Sequence, residues 1–186
     1  MELKKDIRRK ILTIRDNLSK DERHIKSKTI INQLINLQAF QTADCIYCYV
    51  NYRSEVETKE FIELCFQQKK KVAVPKICDN EMKFYYINCL SDLEDGYRGI
   101  PEPKTKALAS DYKALVIMPG AAFDKQRNRI GYGKGFYDTY LEKHSSHSTV
   151  ALAFSCQIVS TIAADMHDIK PDIIITEEHI YDTFTE

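Results

Sequence analysis

Tryptophan is absent from this sequence of 186 residues, glycine occurs six times and proline five. So little of either rules out a collagen-like or low-complexity chain. No apolar run approaches the roughly 18 residues of a membrane span; Ala114 to Met118, for example, stops at Pro119. The opening MELKKDIRRKILTIR has charges too closely spaced for the apolar core of a secretory signal. Net charge is also missing, with 27 Lys and Arg against 27 Asp and Glu, so the surface as a whole is not built for nucleic acid or anionic lipid. With 44% apolar residues there is ample material for one packed core, and a disordered chain is excluded. A single domain over residues 1–186 is expected, soluble and cytoplasmic.

Six cysteines (45, 48, 65, 78, 89 and 156) are present, but a disulfide framework belongs to short secreted chains, so they are expected to be reduced. Cys45 and Cys48 form one C-x-x-C within DCIYCYV, and no second pair stands at zinc-ribbon spacing. On a strand, residues three apart face opposite ways, which argues against a shared metal or a disulfide.

Leu3, Ile7, Ile11, Ile14 and Leu18 recur at helical spacing and predict an amphipathic helix of about sixteen residues. Ser19 and Glu22 read as a capping box opening a second helix, whose buried face is Ile30, Ile31, Leu34 and Ile35. Strands are predicted at 43–50, Lys71 to Pro75, Lys83 to Ile87, 114–119, 149–154 and 172–176, with helices at 58–68 and 135–144 and a polar connection through GYRGIPEPKTK. Alternating helices and Val/Ile/Leu-rich strands predict an α/β fold, a layered domain with a mainly parallel sheet flanked by helices. It is Rossmann-like, without the dinucleotide fingerprint.

Four of the six glycines, at 120, 131, 133 and 135, lie within sixteen residues, in PGAAFDKQRNRIGYGKGFYDTYL. This stretch follows a buried strand, where an open α/β sheet places its ligand crevice. Alternate glycines let backbone N–H groups approach a ligand, and a helix starting near Gly135 adds its positive end. Arg127, Arg129 and Lys134 add cations, so phosphate is the favoured ligand. Neither G-x-G-x-x-G nor the P-loop pattern is met, because Phe136 and Gly135 stand where Gly and Ser or Thr would be required. A flexible connection with solvated cations is the alternative. Asp138, in the first turn of that helix, reads as a complement to the helix dipole or, beside phosphates, as a magnesium ligand. Asp124 either competes for that role or pins the loop.

Residues 1–28 carry ten Lys or Arg and five acids, which leaves the remaining residues at −5. At 100° per residue, Lys4, Arg8 and Arg15 fall within about 40° of arc beside the apolar stripe. Lys5, Arg9 and Lys10 point elsewhere. The bordering cations either reach toward an anionic ligand or snorkel over the packed face. MHDIKPD (166–172) places one His and two Asp before the last buried strand.

These segments together resemble the 5-formyltetrahydrofolate cyclo-ligase, or methenyltetrahydrofolate synthetase, family. The resemblance rests on K-x-x-I-R from Lys4 to Arg8 with Arg15, S-x-x-E-R (19–23), SEVET (54–58), IPEP (100–103), MPGAAFD (118–124), R-x-G-x-G-x-G-F-Y-D from Arg129 to Asp138, ALAF (151–154) and HDIKPDIIIT (167–176). It runs the length of the chain, and the 118–138 block is the most specific part. Ala163 and Asp165 depart from the proline and glutamate expected there.

The resemblance implies a ligase of folate and one-carbon metabolism, forming a C–N bond by ATP- and magnesium-dependent closure of 5-formyltetrahydrofolate to 5,10-methenyltetrahydrofolate. It implies ATP contacts at Lys4, Arg8 and the loop Arg129, Ile130, Gly131, Tyr132, Gly133, Lys134, Gly135, Phe136 and Tyr137, with Arg129 and Lys134 acting in catalysis. Folate contacts are implied at Tyr52, Glu57 and Tyr137, and magnesium contacts at Asp138 and Asp168. The expected partners are 5-formyltetrahydrofolate and ATP, with neither nucleic acid nor membrane, and the chain is expected to act as a monomer. Another phosphate- or nucleotide-binding α/β protein, such as a sugar-phosphate isomerase-like enzyme or a nucleotide or RNA sensor, is the alternative.

Overall fold

Continuous apolar runs make the strands at the centre of the computed structural model, which describes residues 3–96, 99–165 and 167–183. Parts of the predicted polar connection (97–98) and of the 166–172 segment (166) lie outside the described residues. The strands β1 (Cys45–Cys48), β2 (Lys71–Cys78), β3 (Glu81–Ile87), β6 (Leu115–Met118), β9 (Ser148–Leu152), β11 (Ile173–Ile175) and β12 (Ile180–Tyr181) form a seven-stranded sheet in the order β12-β11-β9-β6-β1-β2-β3. Pairing is parallel from β2 through β11 and antiparallel only at β3 and β12. The predicted α/β fold with a mainly parallel sheet is therefore present. β2 runs three residues past the predicted Pro75, because it continues into a hairpin with β3. Beyond β3, Tyr86 N donates to Ala107 O and Ala109 N to Phe84 O, both at 2.8 Å.

Alternation along the strands sorts the core into two faces. Ile46, Cys48, Val72, Val74, Leu115, Ile117 and Val150 pack with Ile30 and Leu34 of α2 (Lys20–Asn36) and with Phe61 and Ile62 of α4 (Lys59–Gln67). Cys45, Tyr47, Ala73, Val116, Met118 and Ala151 pack on the other side with Phe84 and with Leu141 of α5 (Phe136–Lys143). Cys45 and Cys48 thus face opposite ways, and both are free thiols. Burial pushes Cys45 up to about 12, which keeps it inert. α2 carries the predicted capping box: Glu22 N donates to Ser19 Oγ at 3.2 Å and Ser19 N to Glu22 Oε2 at 2.8 Å.

Short elements fill the gaps. α3 (Gln38–Thr42) leads from α2 to the sheet, β4 (Leu93–Asp95) pairs with β5 (Pro101–Pro103), and β7 (Ala122–Asp124), β8 (Arg129–Ile130) and β10 (Ile158–Val159) make a separate three-stranded sheet. α1 (Lys4–Asp16), three residues shorter than predicted, lays Ile7 and Ile11 on this small sheet against Ala122, Ile130 and Ile162. From β1 the chain builds toward β2 on one side, and β6 enters on the other. That reversal opens a crevice beyond the carboxyl ends of β1 and β6, the usual ligand position in such sheets.

Candidate functional site

Two connections face that crevice. After β6, the β7–β8 hairpin is fastened by the buried Asp124, whose carboxylate accepts from Asn128 N (2.9 Å), Asn128 Nδ2 (2.8 Å) and Ile162 N (2.8 Å). Three such bonds occupy both oxygens, so Asp124 pins the loop. Arg129 leaves the hairpin buried, and its Nη2 donates to Asp138 Oδ1 at 2.7 Å; the same oxygen accepts from Ile169 N at 3.1 Å. Between these partners runs the glycine loop, with Gly133 at φ +102° and Gly135, the residue before α5, at +66°. Side chains strain such backbone, and a Cβ on Gly133 would stand 3.2 Å from Arg8 Nη1.

α1 closes over this loop. Arg8 Nε donates to Gly131 O at 2.8 Å. Lys4 Nζ pairs with Asp168 and, at 2.6 Å, with Asp165, the residue that departs from the expected glutamate. Lys5, Arg9 and Lys10 are exposed. The three bordering cations therefore point inward, and each touches the loop or the segment behind it. Arg15, 4% exposed, reaches furthest: Nε donates to Ser54 Oγ at 3.0 Å, and Nη1 to Tyr132 Oη at 2.8 Å and to Gly120 O at 3.4 Å.

The connection after β1 supplies the opposite wall. Arg53, in left-handed conformation at φ +52°, turns the chain so that Glu55 Oε2 accepts from Tyr52 N at 2.8 Å. Burial pushes the Glu55 carboxyl up, while the Tyr132 hydroxyl, the Tyr52 amide and the Arg15 guanidinium hold it down. Tyr132 has an exposed ring face, but its hydroxyl is sunk between Arg15 and Glu55, and that burial raises it. Two polar atoms nearby, Tyr137 Oη and Arg129 Nε, are buried without a hydrogen-bond partner among the described residues. Buried donors left so are expensive unless a ligand completes them.

The structure therefore gathers Arg8, Arg129, Gly131 to Gly135, Tyr137, Asp138 and, through Asp168, Lys4. Tyr52 lies beside them through its amide, and the exposed Lys134 lines a cavity of about 200 Å³ between β3 and α5. Phe84, Leu108 and Phe136 line the same cavity together with Lys83 and Lys143. Two residues lie elsewhere. Glu57 accepts from or donates to no loop residue; its Oε2 is 2.8 Å from His24 Nδ1 and its amide donates to Ser27 Oγ, against α2. Arg127, read as a cation of the glycine loop, instead donates to Pro171 O and Asp172 O, because its own left-handed turn (φ +64°) points it toward the segment before β11. The residue that sequence reasoning passed over is Glu55. Only the turn at Arg53, invisible to strand periodicity, selects it over Glu57.

For a divalent metal, no group of three or more His, Cys, Asp or Glu side chains is assembled among the described residues. Asp138 and Asp168 use Oδ1 and Oδ2 respectively for their hydrogen bonds, which leaves one oxygen on each. Two monodentate carboxylates suit a hard ion that takes its other ligands from water and phosphate.

The profile of the 5-formyltetrahydrofolate cyclo-ligase family matches residues 1–177. The 5-formyltetrahydrofolate cyclo-ligase of Mus musculus is 32% identical over 176 residues, 87% of each chain, and that of Haemophilus influenzae 30% identical over 89% of this chain and 93% of its own. The solution structure of Aquifex aeolicus 5,10-methenyltetrahydrofolate synthetase superposes with a TM-score of 0.87 at 29% identity, covering 100% of this chain and 95% of that one. With a match that spans nearly its whole length, the chain belongs to the 5-formyltetrahydrofolate cyclo-ligase family of enzymes.

Proposed function

We propose that the chain closes 5-formyltetrahydrofolate to 5,10-methenyltetrahydrofolate with conversion of ATP to ADP and phosphate. The observation that carries this reading is the meeting, in one crevice, of an anion-seeking wall (Arg8, Arg129 and the glycine loop) with a buried carboxylate, Glu55, on the facing wall. The phosphates belong to the first wall, where loop N–H groups and the N-terminus of α5 receive them, with Lys134 at the γ-phosphate. The pterin belongs to the second, because its amino and ring N–H groups donate to a carboxylate. Glu55 fits that role better than Glu57, which is engaged with His24. The cavity beside Lys134, apolar in its floor and lysine-rimmed, suits the benzoyl ring and glutamate carboxylates of the folate.

The N5-formyl group is an amide whose oxygen is a poor leaving group. Attack of that oxygen on the γ-phosphorus breaks the bond to ADP and forms a phosphorylated imidate. N10 then attacks the activated carbon, phosphate departs with the C–O bond, and loss of the N10 proton leaves the methenyl bridge. The protein's part is to hold the formyl oxygen in line with the γ-phosphate and to neutralise the charge that spreads over it, through Lys134 and Arg129. Asp138 and Asp168 would hold a magnesium ion, which would supply further neutralisation of the phosphate charge. The test follows the absorbance of the methenyl product from purified protein, 5-formyltetrahydrofolate, magnesium and ATP. No product, or equal product without ATP, sinks the reading.

A further inference from the structure

One guanidinium is bonded to three chain segments that meet at the crevice. Arg15 Nε donates to Ser54 Oγ at 3.0 Å, on the connection after β1, while Nη1 donates to Tyr132 Oη at 2.8 Å, on the glycine loop, and to Gly120 O at 3.4 Å, just past β6. Resting on the function proposed above, we propose that Arg15 is a positioning residue for the reaction: it fixes the wall that holds the folate against the loop that holds the nucleotide, and so sets the line from the formyl oxygen to the γ-phosphorus. Each end of this bridge is stiff. The Gly120 carbonyl also accepts from Gln157 Nε2 at 2.8 Å, and a Cβ on Gly120 would stand 2.4 Å from Phe123 Cζ, so this anchor has little room to shift. On the folate side the 52–55 turn closes on itself, since Glu55 N donates to Tyr52 O at 3.2 Å and Tyr52 N to Glu55 Oε2 at 2.8 Å; holding Ser54 therefore holds Glu55. On the nucleotide side Arg8 Nε donates to Gly131 O at 2.8 Å, which ties Tyr132 both at its hydroxyl and through the peptide before it. The acceptors of Arg15 are two hydroxyls and a carbonyl, and the side chain is 4% exposed. A charge buried without a carboxylate partner costs stability. What a guanidinium supplies here is a planar fork with donors at fixed angles, which a lysine ammonium lacks.

Each wall still binds its own ligand when the bridge is cut, so the loss belongs in kcat and not in KM. Steady-state methenyl formation by the full chain, with both substrates varied, decides, and kcat is taken per folded molecule from parallel circular dichroism. Arg15→Lys keeps the charge but not the fork: kcat is expected to fall about 10²-fold, the scale of a misplacement of about 1 Å, and each KM to stay within about threefold. Ser54→Ala and Tyr132→Phe each remove one arm and cost about tenfold, the scale of one neutral hydrogen bond. Because either cut alone already frees the walls from each other, Ser54→Ala combined with Tyr132→Phe lies within about threefold of the worse single variant, whereas the losses of independent sites would multiply. This cycle leaves Arg15 in place and decides the matter even if Arg15→Lys does not fold. Near-native kcat in Arg15→Lys, losses confined to KM, or a double variant at the product of the singles overturns the role. A native protein that forms no methenyl product overturns instead the proposed function beneath it.

Discussion

The first two helices stand next to one another in sequence, are both rich in Lys and Arg, and are held in place by different forces. α2 is anchored by side chains with no exposure at all, Ile30 and Leu34, and by a complete capping box, while its cations serve local structure: Lys26 pairs with Glu177, and Arg23 donates to Leu18 O. α1 has no side-chain cap and rests on two isoleucines, but Arg8, Arg15 and Lys4 all turn inward to backbone carbonyls, hydroxyls and carboxylates around the crevice. Basicity in a sequence thus has two meanings. A helix packed on a core uses charge as trim, whereas a helix packed on a site uses charge as its contact surface.

That contrast is open to attack in four places, in falling order of effect. Lys134→Ala, on the loop that α1 covers, is expected to cost about 10²–10³ in turnover, the scale of losing one preorganised charge-stabilising group. Its unfolding free energy should stay within about 0.5 kcal/mol of native, as befits an exposed side chain; rate assays beside urea unfolding separate the two. Leu34→Ala reverses the pattern, with stability lower by about 2–5 kcal/mol and near-native kcat for the molecules that remain folded at low temperature. Ser19→Ala removes the α2 cap and should lower stability by about 1 kcal/mol, without a change in folate KM. The smallest effect is a pH-dependent one. Burial alone would raise the Glu177 carboxyl, but hydrogen bonds from Lys26 and Ser155 prevail and hold it below its ordinary value. A lowered carboxylate stabilises the fold above its unfolded value and loses that contribution as pH falls through the folded one. Glu177→Gln should therefore be less stable than native by up to about 1 kcal/mol at pH 7, with the gap in thermal midpoint closing below pH 4.

The parts of the fold legible in the sequence are those where one kind of residue repeats. LVIM and III are buried on both faces, so their runs are continuous and their strands plain. The α2 cap was readable because Ser19 and Glu22 satisfy a local rule of geometry. Strands of two or three residues, such as β8 and β10, give no period to count, and the small sheet under α1 went unread for that reason. In the site, the glycine loop, Arg129, Asp138 and the inward arc of α1 were visible as spacing or as a known pattern. Glu55 was not, because alternation carried from β1 breaks at the left-handed Arg53. Arg127 misled for the same reason, with its own positive φ sending the side chain away from the loop its neighbours serve.

The backbone bonds along the outer side of β3 bear on how this sheet behaves in a crowded solution. A long edge strand is a ready template for another chain. β3 is seven residues long, and its outer amide of Tyr86 and outer carbonyl of Phe84 are already taken by the 107–109 segment. At the far edge, β12 offers only two residues. A sheet finished in this way resists growing into its neighbours, so the molecule can keep its carboxyl-end crevice open to small ligands without exposing a long adhesive edge beside it.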